Sequence, residues 1–221
     1  MTLKSSAMTD LPPPNAGRKS KAVARNRARH LRSAQELIIT VGPQATIDEF
    51  ADHAEVAVAT LYKHFGSKEG MVLAAVEDAL QRWEQWMLQV VAPISDPLEQ
   101  LVASLRVLLR TRDTRPIEGA IMARAHQANM APLDHLGANF QQHVALLVQQ
   151  GLLPADHIEA RARALLSVVS NEGVRQMSTP TATPEEADMA LEWALPMLGI
   201  SPAKAKRLAH APLPPLEVPV A

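Results

Sequence analysis

TIDEFADHAEVAVATLYKHFGSKEG, residues 46 to 70, reads as two short helices joined by a tight turn and followed at once by the start of a third. Thr46 is a side-chain cap for a helix ending near His53, and Asp48 and Glu49 suit the positive end of its dipole. A second helix of about two turns covers roughly Ala57 to His64. Ser67 caps the next, with Gly70 standing where a complete capping box would carry Glu or Gln. Phe50, Val56, Leu61 and Phe65 supply apolar contacts, and Ala51 is small where the two helices cross. Burying such side chains stabilises a unit of this size by about 1.5–3 kcal/mol each. Val58, Ala59, Tyr62 and Lys63 then face outward, flanked by Thr60 and His64. A pair of helices of this length and turn is a helix-turn-helix.

The flanks agree with it. Upstream, a helix from about Lys21 to Val41 places Ala28, Leu31, Ile38 and Val41 on one face and stops at Gly42-Pro43. Downstream, Val72, Val76, Ala79, Trp83, Met87 and Val90 recur at helical steps until Pro93. Twenty-four residues at about 1.5 Å each make a rod of roughly 36 Å, long enough to join two domains. Further helices are expected at about 97–112, 116–129, 132–151, 155–178 and 184–198. No run alternates as a strand would. The fold class is therefore all-α.

Charge divides unevenly along the 221 residues. Residues 1–32 carry eight basic side chains and one acidic one, a balance of +7, whereas the whole chain is at −1. A basic head on an acidic body points to a polyanion reached from one end. There is no cysteine, so disulfides and thiolate metal sites are excluded. No secretory signal and no run of membrane-spanning length is visible, and a cytoplasmic protein is expected. Residues 1–20 and 201–221 are Pro-rich without apolar period, and read as disordered tails around domains at 21–67 and 68–200. His126, His135 and His143 lack metal-ligand spacing, and no cofactor motif is present.

The stretch 46–76, with its cap Thr, Ala-rich helix, short turn and T-L-Y-x-x-F-x-S-K-E run, resembles the TetR family of bacterial transcriptional regulators. The resemblance implies a three-helix head joined by a long helix to a helical ligand-binding and dimerisation domain. It also implies roles residue by residue. Thr46, Tyr62, His64 and Lys68 match positions that lie on the DNA backbone, and Val58, Ala59, Thr60 and Lys63 fall at or near positions facing bases in the major groove. Chemistry agrees: hydroxyls, helix N-termini and lysine suit phosphate, while small apolar groups can touch thymine methyls but cannot read guanine by bidentate hydrogen bonds. Two departures stand out. Glu55 occupies a turn position where glycine is usual, so it either takes a left-handed conformation or reshapes the turn. Ala57 replaces a Ser or Thr cap, forfeiting about 1 kcal/mol. From charge, Arg18, Lys19, Lys21 and Arg25 are expected to form an arm on the phosphates or in the minor groove.

For the body, the resemblance implies a cavity for a small-molecule effector and a homodimer. Candidate lining residues are Trp83, Trp86, Arg106, Arg110, Met122, His126, Asn129, Met130, Phe140, His143, Asn171 and Arg175, although Glu172 and Arg175 also suit a surface ion pair. Apolar stripes in the last two long helices supply a candidate dimer interface at Ala162, Leu166, Val169, Gly173, Leu191, Ala194 and Leu198. The expected partners are thus an operator in double-stranded DNA, a second copy and an unidentified effector, with no membrane. The function expected is a ligand-responsive regulator, most simply a repressor. Two other readings are a non-inducible DNA-binding co-regulator, which a filled core would favour, and an all-helical enzyme with a DNA-binding head, against which HExxH, GxSxG and Gly-rich phosphate loops are lacking.

Overall fold

The computed structural model describes residues 16–130 and 133–216, without the side chains of 16–20, 22 and 133–135. Among these residues the elements are all helical: α1 Ala16–Thr40, α2 Ile47–His53, α3 Val58–Phe65, α4 Lys68–Val91, α5 Pro97–Leu108, α6 Thr111–Thr114, α7 Pro116–Gln127, α8 Leu133–Gln149, α9 Ile158–Ser178, α10 Pro184–Ala194 and α11 Pro202–Ala209. A 3₁₀ turn, Leu195–Leu198, follows α10 directly.

The head forms as its caps dictate. Thr46 and Glu49 make a full reciprocal capping box at α2, which satisfies two otherwise orphaned backbone donors. At α4 only the forward half exists: Ser67 Oγ accepts from Gly70 N at 2.9 Å. Between α2 and α3 the chain reverses through Glu55 at φ +54, so of the two options the left-handed conformation is the one adopted. Backbone bonds from Glu55 N to Asp52 O and from Val56 N to Ala51 O hold it there, against a strain of about 1 kcal/mol. Phe50, Ala51 and Leu61 are buried, with Val56 and Phe65 packed on the same cluster.

That cluster does not stop at the head. It runs from Leu31, Ala34, Leu37 and Ile38 of α1 through Met71 to Trp83 of α4 and ends on Ile121, Met122 and Ala125 of α7. Packing is thus continuous across residue 67, and α7 is wedged between head and body. A second core joins α5, α8, α9, α10, the 3₁₀ turn and α11.

Three expectations need correction. The helix expected at 97–112 is two, α5 and α6, because the Thr111 hydroxyl turns back to donate to Leu108 O at 2.7 Å and accepts from Trp83 Nε1 at 3.0 Å. The basic stretch to residue 20 is already helical from Ala16; residues 1–15 lie outside the described residues. The tail from 201 is not wholly irregular either. Pro202 sits at the first turn of α11, where its missing N–H costs nothing. Ala205, Leu208 and Ala209 are buried in the second core. Beyond it Ala211 O accepts a hydrogen bond from Arg106, and Leu213 and Leu216 pack on Val91, Ala103 and Val107. Proline content concealed a helix start; residues 217–221 lie outside the described residues.

Candidate nucleic-acid interface and effector cavity

The outer face of α3 is set by the burial of its inner one. With Leu61 fully inside, Tyr62 is 46% exposed, and Ala59 and Lys63 are exposed beside it. Thr60 and His64 are half-buried flanks. Val58 differs from expectation: it is half-buried and packs against the head core, because the first turn of α3 leans on its neighbours. The face therefore presents one small methyl, one phenol and one ammonium.

Thr46 is exposed, yet its hydroxyl is committed to the cap. It accepts from Glu49 N at 3.3 Å and donates to Glu49 Oε2 at 2.9 Å. The hydrogen bonds from the Thr46 backbone and hydroxyl hold the Glu49 carboxyl below its ordinary pKa, so a fixed negative charge stands beside that hydroxyl. Lys68 is half-buried at the start of α4, 3.9 Å from Glu69.

Two residues not singled out from sequence brace α3 from α1. The Arg27 guanidinium lies 4.9 Å over the Phe65 ring, and the buried His30 ring is 5.3 Å from that of His64. Burial, then the neighbouring His64 and Arg29, push the His30 pKa down. Their signal was the three-residue spacing of Arg27 and His30 beside Leu31 and Ala34. Lys21 and Arg25 are exposed on α1; the side chains of Arg18 and Lys19 lie outside the described residues.

Behind the head, an open cavity of about 540 Å³ is lined by residues of α5, α7, α8 and α9. It brings together Met122, His126, Asn129 and Met130 of the expected set, adding Gln141 and Ser170 at an exposed rim. A second cavity of about 300 Å³ contains Trp83, Phe140 and His143. Burial lowers the His143 pKa. Leu108, Leu136 and Leu166 line both spaces.

The other nominated polar groups lie elsewhere. Arg106 and Arg110 both close on Asp188, at 2.9 Å and 2.6 Å. Burial pushes that carboxyl up, but the hydrogen bonds and charges of the two arginines outweigh it and hold it below its ordinary value. Trp86 lies under the Arg115 guanidinium at 5.3 Å. Arg175 bridges Glu172 and Glu186, the surface ion pair that its spacing allowed, and Asn171 is exposed beside it.

The expected interface residues are also displaced. Ala162, Val169, Gly173, Leu191, Ala194 and Leu198 are buried within the single chain, because the stripes pack on their own domain. Leu166 lines the cavities. What α10 and its 3₁₀ extension turn outward is Met189, Trp193 and Met197, at four-residue steps, with Trp193 69% exposed.

Comparison with known proteins bears on the same regions. The sequence profile described as "Bacterial regulatory proteins, tetR family" matches residues 31–75, which span the end of α1 to the first turns of α4. The HTH-type transcriptional regulator TcmR of Streptomyces glaucescens is 30% identical over 125 residues, 52% of this chain and 55% of that protein. The chain therefore aligns with about half the length of that curated relative. Among solved structures, RolR in complex with resorcinol has a TM-score of 0.68 at 22% identity, covering 90% of this chain and 100% of that one. The repressor FadR of Thermus thermophilus, in complex with lauroyl-CoA, has a TM-score of 0.56 at 22% identity, covering 79% and 96%; these two likenesses concern the fold. The hairpin region is thus matched in sequence to the tetR family of bacterial regulatory proteins over residues 31–75, and the helical body shares the architecture of these solved structures.

Proposed function

We propose that this protein is a dimeric repressor that binds operator DNA through α3 and leaves it when a small molecule fills the cavity behind α7. The observation that carries the DNA-binding step is the exposed Ala59–Tyr62–Lys63 face of a helix whose opposite side is locked into the core. Tyr62 and Lys63 suit phosphate, and Ala59 suits a thymine methyl. Lys21 and Arg25 add charge from α1, with Arg18 and Lys19 preceding them in sequence. Action on DNA places the protein in the cytoplasm.

A dimer follows from the target's geometry, since two recognition helices must enter major grooves about 34 Å apart. Met189, Trp193 and Met197 are the apolar surface we assign to that contact. An isologous interface needs one patch that pairs with its own copy, and an apolar stripe on α10 satisfies this.

Ligand response rests on how the cavity touches the head. Met130 lines the 540 Å³ cavity and also a crevice formed by Pro43, Gln44, Lys68, Glu69, Val72 and Ala128. Arg124 of α7 donates to Ile39 O at the end of α1, at 3.1 Å. A molecule that displaces the 128–130 turn therefore acts on the base of α4. Converting a bound population to a free one requires about 5.5 kcal/mol of preference between the two forms. The resorcinol and lauroyl-CoA complexes of structural neighbours support an effector role for the cavity, and a space of this size favours it over a non-inducible co-regulator.

The test is selection of bound genomic fragments by the purified full chain, with and without cell extract. A recurring near-palindromic site, lost on combined Tyr62→Ala and Lys63→Ala substitution, is expected. Binding with no sequence preference, or unaltered by that double change, would refute the DNA-binding reading. Retention of every fragment in extract would point to the non-inducible alternative.

A further inference from the structure

We propose that the cavity selects uncharged, largely apolar, ring-bearing molecules carrying hydroxyl or carbonyl groups, and rejects anions of the same shape. The inference rests on reading this cavity as the effector site, and deepens it.

The floor is built from Met122, Met130, Met177, Leu108, Leu166 and Val169. Three thioethers in one lining give an adaptable wall that contacts ring edges well. At the rim, His126, Asn129, Gln141 and Ser170 offer an imidazole, two amides and a hydroxyl. These are all exposed, so the polar end of an occupant meets them at the mouth while its rings enter the floor.

Among the described lining residues none is Lys, Arg, Asp or Glu. Five arginines on or next to the surrounding helices are committed elsewhere. Arg106 and Arg110 of the α5 region bind Asp188, Arg124 binds Ile39 O, and Arg175 binds Glu172 and Glu186. Arg112 donates to the carbonyls of Gln176, Thr179 and Ala182. A carboxylate or phosphate carried below the rim by its rings would lose hydration against the Met, Leu and Val floor without gaining a Lys or Arg, which is strongly unfavourable. A neutral hydroxyl loses little, because the rim amides replace water.

Small residues widen the space. A Cβ on Gly137 would meet only Leu166 Cδ1, and one on Gly173 only Leu109 Cδ2, each at 3.8 Å. Both glycines, Ala138 and Ser170 line the same wall.

The probes are 1-pyrenemethanol and 1-pyrenecarboxylate, which share a ring system and differ in charge. Each is titrated into the full chain without DNA, followed by fluorescence and calorimetry. The alcohol is expected to bind at least tenfold more tightly. Ser170→Trp, at the exposed rim, should weaken the alcohol at least tenfold, and Gln141→Trp provides an independent block should the first variant fold poorly. Val174→Lys, which adds a cation to the wall, should narrow or invert the preference. Equal or tighter binding of the carboxylate, no binding of either probe, or alcohol binding indifferent to both tryptophan blocks would overturn the proposal. Operator binding is measured separately by anisotropy. Its failure with intact selection sinks the regulator reading alone, whereas failed selection with intact operator binding sinks only this one.

Discussion

The head and the body of this protein pack their helices under different constraints. In the head, α1 and the short helices α2 and α3 pack on the start of α4, and the large apolar residues of the hairpin share one core: Phe50 and Leu61 are buried, Val58 and Phe65 lean on them, and Ala59, Tyr62 and Lys63 face out. In the body, α9 and α10 carry apolar residues on more than one side. One stripe enters the chain's own core and another, ending in Met189, Trp193 and Met197, stays outside. Periodicity locates a stripe but not its partner when a helix carries two. A small domain leaves no such freedom, because it has too little surface to bury more than one arrangement.

The contrast can be broken most forcefully from inside the head. Phe50→Ala should cost about 3–5 kcal/mol, the usual range for a buried Phe. Because the head core continues into α7 through Met122, chemical denaturation should show the loss as one transition. Separate unfolding of head and body would refute the continuity. In the body, Asp188→Ala strands the buried Arg106 and the partly buried Arg110 guanidiniums and should cost a similar 3–5 kcal/mol, read from the same denaturation curves; a neutral result would show that Arg106 and Arg110 find other partners.

Smaller effects sharpen the same comparison. Trp193→Arg should turn the proposed dimer into a monomer in sedimentation while changing protomer stability by less than about 0.5 kcal/mol, and a persisting dimer would place the interface elsewhere. Glu55→Gly should stabilise the head by about 1 kcal/mol through relief of the left-handed turn; a lower melting temperature would mean that the Glu55 side chain contributes more than its strain removes. The smallest effect is set by pH. The His30 pKa is lowered from its ordinary 6.5 by burial, His64 and Arg29. Above that value neither folded nor unfolded chain is protonated there and nothing is lost. As pH falls through it the unfolded chain takes up the proton first, so stability drops until the lowered folded value is passed. His143 acts in the same direction. His30→Gln should flatten this slope below pH 6.5, and His30→Gln with His143→Gln should flatten it further; an unchanged slope in both would remove these histidines from the account.

Much of the head was legible because its signals are local. Thr46, Glu49, Ser67 and Gly42-Pro43 act within four residues of themselves, and a cap or a stop needs no distant partner. The left-handed option at Glu55 was likewise visible, being a matter of turn length. Val58 was misjudged because half-burial at a first helical turn depends on how α3 leans on the rest of the core. Thr46 was visible as a cap, but the commitment of its hydroxyl to Glu49 emerges only from the rotamers chosen.

By itself, then, the chain's order of residues determined the helical class, the hairpin, the long α4 and the basic leading segment, since each follows from spacing, capping and charge over short distances. Tertiary structure alone decided that 202–209 is a docked helix, that Arg106 and Arg110 close on Asp188 rather than on a ligand, and which side of α10 stays bare. It also decided that Met130 touches both cavity and head. Those outcomes depend on groups far apart in the chain competing for one another. An arginine or an apolar stripe carries no mark of its partner until packing has chosen among the available ones.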